Sequence, residues 1–141
     1  MEETHPEPTV TFDAENMTVT LKVVVFLPEG AEDIVIETAP AAIPHGNWTF
    51  VWVLDVSTSG LIAEFADPGI ILGSLPPLVR VLKAPSGTAE TWTAQLRNEV
   101  QSANAFNYDI AVDWHLLEDN VIRNVTIHDP TIAVTTDPIG G

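Results

Sequence analysis

Apolar and polar residues alternate along most of this chain. Met17, Val19, Leu21, Val23, Val25 and Leu27 are apolar, with Thr18, Thr20 and Lys22 between them. A period of two puts successive side chains on opposite faces of a β-strand. Trp48, Phe50, Trp52, Leu54 and Val56 repeat the pattern, as do Trp92, Ala94 and Leu96. Shorter strands are predicted over 10–12, 33–38, 61–66, 70–72, 78–83, 107–116, 121–128 and 131–135. Between them stand turn clusters such as Pro28-Glu29-Gly30, Asp67-Pro68-Gly69 and Pro85-Ser86-Gly87. The Pro-rich stretch 39–47 is expected to be a loop. Residues 97–105 are the one stretch that could hold a helical turn. Eight to ten short strands with turns roughly every 8–12 residues predict an all-β, antiparallel β-sandwich, a closed barrel being the alternative.

Two strands break the simple in-and-out pattern. Val24 and Phe26 lie opposite Val23, Val25 and Leu27, and Val51 and Val53 lie opposite Trp48, Phe50, Trp52 and Leu54. A sandwich normally leaves one face of each sheet in water. Either a loop or the 97–105 segment covers these four side chains, or they form a subunit interface. The four tryptophans, Trp48, Trp52, Trp92 and Trp114, all sit in alternating strands and are expected in the core.

Length and composition narrow the picture. A chain of 141 residues fits one domain, expected over 9–136, with an acidic tail at 1–8 and a second tail at 137–141. Apolar residues make up 45% and charged residues 18%, which excludes a disordered chain. Twenty acids against five bases give a net charge of -15. That argues against nucleic acid and against an anionic membrane surface as partners. A positive mean hydropathy of +0.18 beside that charge favours a self-associating structural protein, with the chain itself as partner in a homo-oligomer or an extended assembly, through sheet faces or edges. No cysteine is present, so disulfides and thiolate chemistry are excluded. The opening Met1-Glu2-Glu3-Thr4-His5 has neither the basic start nor the apolar run of a secretory signal, and a soluble protein is expected, its compartment left open.

Candidate chemistry gathers in the C-terminal hairpin. A two-residue turn at Asp119-Asn120 would set Trp114 opposite Val125 and Val112 opposite Ile127. Asp109, Asp113, His115, Asn124, Thr126 and His128 would then share one polar face. Such a patch could bind a carbohydrate, a divalent cation or a cationic partner; an ordinary solvated sheet face explains it too. No cofactor is expected; Glu118, Asp119 and Asn120 with Asp129 could offer oxygens to calcium, although the turn accounts for those residues as well. No G-x-S-x-G, G-x-G-x-x-G, P-loop or H-E-x-x-H motif occurs, and a non-enzymatic protein is expected.

Tyr108-Asp109-Ile110-Ala111-Val112, followed by His128-Asp129-Pro130-Thr131-Ile132, resembles the ending of small bacterial β-sandwich proteins such as the PixA/AidA inclusion-body type. The resemblance is confined to the C-terminal region. It implies an immunoglobulin-like sandwich that self-associates, and no catalytic residue comes with it.

Overall fold

The structure, a computed structural model, describes residues 6–128 and 130–137. Eleven strands and no helix occur among them: β1 (Thr9–Asp13), β2 (Thr18–Phe26), β3 (Val35–Glu37), β4 (Ala41–Ile43), β5 (Gly46–Val56), β6 (Leu61–Leu72), β7 (Val79–Gly87), β8 (Thr91–Asn98), β9 (Asn104–Leu116), β10 (Arg123–Ile127) and β11 (Thr131–Val134). No helix among the described residues is long and apolar enough to cross a membrane. The expected tails lie largely outside the described residues.

The strands form two sheets. The first runs β1-β2-β5-β8-β7, and β3 extends the β1 edge by pairing with the end of β2. In the second, β10 and β11 lie end to end along one edge of β9, β6 pairs with its other edge, and β4 continues the sheet beyond β11. The all-β expectation holds, but the sheets are mixed rather than purely antiparallel. β2 pairs with β5 in parallel, and β11 with β4. Parallel neighbours need a long crossover. Residues 27–45 supply it by running through β3 and then through β4 in the other sheet before β5 begins.

Three local expectations are corrected. The 39–47 stretch is not a loop throughout, because it contains β4 and the start of β5. Residues 97–105 hold no helical turn; β8 reaches Asn98 and β9 starts at Asn104. The predicted strands at 61–66 and 70–72 are one strand, β6, whose pairing with β9 shifts between Phe65 and Ile70.

The alternating faces meet in one apolar layer. Val19, Leu21, Val23 and Val25 of β2, Trp48, Phe50 and Trp52 of β5, and Tyr108, Ile110, Val112 and Trp114 of β9 belong to it. Contacts between the sheets are aromatic. The Trp52 and Tyr108 rings lie 5.5 Å apart, and those of Phe65 and Trp92 lie 6.5 Å apart in an edge-on arrangement. All four tryptophans are buried. Gly87 lets β7 and β8 close tightly, because a Cβ there would lie 2.1 Å from the Thr91 carbonyl oxygen.

Asn98 is the buried polar side chain of this interior, at 0% exposure. Its Nδ2 donates to the carbonyls of Ile43 (3.0 Å), Pro44 (3.0 Å) and Thr135 (3.1 Å). Its Oδ1 accepts from the Val100 amide at 3.1 Å. The residue stands on β8 in the first sheet, while β4 and the segment after β11 belong to the second. Asn98→Leu removes every one of these bonds. Ile43 and Pro44 keep the Thr135 amide and Trp48 Nε1 as donors, but the Val100 amide and the Thr135 carbonyl lose their partner, so it should destabilise by roughly 2 kcal/mol, read by urea unfolding.

Burial also acts on Tyr108, the single tyrosine of the chain, and pushes its pKa up from 10.0 to about 12. The folded state resists ionisation while the unfolded chain ionises near its ordinary value. Stability should therefore fall as pH rises from about 10 towards 12. Ultraviolet titration of the phenolate should show one transition near pH 12, or a sharper one where the protein unfolds.

Candidate functional site

The outer face of the second sheet carries the hairpin patch. Its ladder pairs Arg123 with Trp114, Asn124 with Asp113, Val125 with Val112, and Thr126 with Ala111. The register thus differs by two residues from the sequence expectation, because the connection runs through 117–122 rather than through a tight turn at Asp119-Asn120. A two-residue shift leaves every side chain on its expected face, whereas a shift of one would have reversed them.

The patch is held together by its own hydrogen bonds. Asn124 Nδ2 donates to Asp113 Oδ1 at 2.9 Å, and the Thr126 hydroxyl donates to Asn124 Oδ1 at 3.2 Å. His128 Nδ1 and Asp109 Oδ1 lie 2.9 Å apart. His115 shares this face, and its cross-strand neighbour on β6 is Ile62. Ala111, between Asp109 and Asp113, is buried. Among the described residues, no three His, Asp or Glu side chains converge to hold a metal ion.

The hairpin connection has a different character. Asp119 accepts from the Val121 amide at 3.0 Å and from Arg123 at 3.3 Å. The Val121 amide, and then Arg123, hold its carboxyl below the usual carboxylate range. Asn120 sits at φ 55°, a conformation asparagine tolerates in turns. Asp129 lies outside the described residues. The Arg123 guanidinium packs 4.9 Å from the Trp114 ring centroid.

Val24, Phe26, Val51 and Val53, the residues expected at an interface, lie on the outer face of the first sheet. All four lie outside the central apolar cluster, but they are not equally accessible. Val24 is 0% exposed and Phe26 8%, so the chain already covers both, and substitutions there would report on folding as well as contact. Lys22, which reaches Asp55 at 3.5 Å, lies across this part of the face. Val51 and Val53 are half-buried, in the middle of the sheet.

Around them lies a surface the sequence reading missed. One cross-strand row runs Thr11, Thr20, Val51, Thr93, Ser86 over five strands. The row on one side is Thr9, Lys22, Val53, Thr91, and on the other Asp13, Thr18, Thr49, Gln95, Lys83. A shallow depression of about 150 Å³ borders this second row beside Thr49, Leu82 and Gln95. In a chain of net charge -15, the charged side chains of the three rows are only Asp13, Lys22 and Lys83. The signal was present as Thr-x-Thr at 9–11, 18–20 and 91–93. Nothing along the chain showed that these triplets would be neighbours.

The hydrogen bonds of the hairpin patch are solvent-exposed and contribute little. Asn124→Ala and His128→Ala should each change the unfolding free energy by no more than about 1 kcal/mol in thermal denaturation. No protein-family model and no curated protein matches the chain.

Proposed function

We propose that this is a non-enzymatic, self-associating structural protein whose partner is a second copy of itself, joined through the outer face of its first sheet. One observation carries this reading. The central row of that face, Thr11, Thr20, Val51, Thr93 and Ser86, is uncharged across five strands of a strongly acidic protein. Depletion of charge at the centre of a patch is the compositional mark of an interface core. Threonine and valine are stiff at χ1, so they lose little side-chain freedom on contact.

Strand-edge pairing is the weaker route to assembly. β7 carries Lys83, Pro85 and irregular pairing with β8, β1 is short, and β3 is shorter still. These are features that discourage edge-to-edge addition. We retain the immunoglobulin-like description for the two-sheet layering; the parallel β2–β5 and β11–β4 pairs depart from a purely antiparallel sandwich.

A ligand-binding module is the second reading, favoured by the Asp113–Asn124 and Asp109–His128 pairs on one exposed face. Those groups fit a carbohydrate hydroxyl set, or calcium as a bridging ion.

Light scattering on a size-exclusion column, with and without a chelator, tests the proposal. The expected result is an oligomer that persists with chelator and dissociates on dilution. A mass that falls only on chelation replaces the proposal with metal bridging. A monomer at every concentration overturns it and leaves the second reading.

A further inference from the structure

We infer that the first sheet's outer face forms a two-fold dimer about an axis along β5, an inference that rests on the self-association reading above. β5 is the central strand of the order β1-β2-β5-β8-β7. A two-fold rotation about its direction lays β1 over the partner's β7 and β2 over the partner's β8. An isologous contact must be complementary to itself under that rotation.

Two of the three rows meet this condition throughout; in the third, Lys22 meets the partner's Thr91 and Thr9 has no counterpart on β7. Val51, Val53 and Thr49 lie on the axis and each faces its own copy. Thr11 meets the partner's Ser86, Thr20 meets the partner's Thr93, and Thr18 meets the partner's Gln95. At the flanks Asp13 meets the partner's Lys83, and the rotation makes this ion pair twice. Lys83 forms no ion pair among the described residues of its own chain, and it stands at the opposite edge of the sheet from Asp13. Arg80 lies further along β7 on the Lys83 flank, and Glu15 lies in the turn after Asp13. Glu99 of the same chain already pairs with Arg80 at 3.9 Å, so charge complementarity across the sheet rests on Asp13 at β1 and Lys83 at β7. Asp55 is the next outward-facing residue of β5, and its ion pair with Lys22 brings two neutralised pairs to the axis there rather than two bare carboxylates. An axis across the strands would place Val53 against the partner's Thr49 and leave Asp13 and Lys83 unmatched.

Size sets the expected strength. Strands about 4.8 Å apart and alternate residues about 6.8 Å apart make the three rows roughly 20 by 14 Å. With a margin for side chains this buries about 1,000 Å² in total, the lower end for a specific interface, so a dimer that dissociates on dilution is expected.

The chain has no cysteine, so single cysteines can map the contact. Val51→Cys and Val53→Cys should each give a covalent dimer on mild oxidation or with a short bifunctional maleimide. Thr20→Cys should not cross-link alone but should do so together with Thr93→Cys. Thr126→Cys, on the second sheet, should give no covalent dimer. Lys83→Asp should weaken dimerisation roughly tenfold or more, and Asp13→Lys added to it should restore it. Asp13 also bonds Asn16 in its own turn, so the fold of the double variant is checked by tryptophan fluorescence. An oligomer without cross-linking at Val51→Cys overturns this face and leaves self-association standing. Cross-linking at Val51→Cys without Val53→Cys overturns the axis along β5. Cross-linking at Thr126→Cys assigns the contact to the second sheet and overturns the proposal. A monomeric parent chain overturns the dimer and the self-association reading together.

Discussion

Two sheets held together by apolar burial alone are free to slide, because the hydrophobic effect has no direction. In this protein the Asn98 amide restricts that freedom, together with the Phe65 amide of β6, which donates to the Ala89 carbonyl between β7 and β8 at 2.8 Å. From β8 in the first sheet Asn98 donates to Ile43 and Pro44 beside β4 and to Thr135 after β11, all belonging to the second. A buried amide satisfied on both its nitrogen and its oxygen tolerates little displacement, since each lost bond leaves a dry polar group. The crossover that makes β2 and β5 parallel passes through β4, so the Asn98 contact also fixes the end of that crossover. The aromatic contacts Trp52–Tyr108 and Phe65–Trp92 then define the spacing of the layers.

With the interior fixed, the two outer faces differ sharply. The second sheet presents Asp113, Asn124 and Thr126 bonded in series and Asp109 beside His128, all on a solvated surface. The first presents threonine and valine in register, with charge at the margins of the lattice. The acidic groups that give the chain its charge of -15 lie elsewhere or at that margin.

The strands with unbroken alternation were legible: β2, the aromatic half of β5, β8 and β9 all stand where period two placed them. Elements without that signal were not. β4 has three residues in a Pro-rich stretch, too short for any periodicity to register. The β6 irregularity around Asp67-Pro68-Gly69 read as a turn because its residues are turn residues. The hairpin patch was grouped correctly although its ladder was shifted, since faces depend on the parity of the register and not on its value. Val24 and Phe26 were assigned to the outer face, where they lie, but how far neighbouring side chains cover them is a property of the packed sheet.

The sequence by itself determined the all-β class, the aromatic core and the membership of each strand face, because these follow from the two-residue repeat of an extended backbone. Only the tertiary structure decided which strands became neighbours, and hence the parallel β2–β5 pair, the Asn98 clamp and the threonine rows. Pairing between strands far apart in the chain is set by how two apolar faces find joint burial. Any strand of suitable pattern can offer such a face, so a local pattern cannot name its partner.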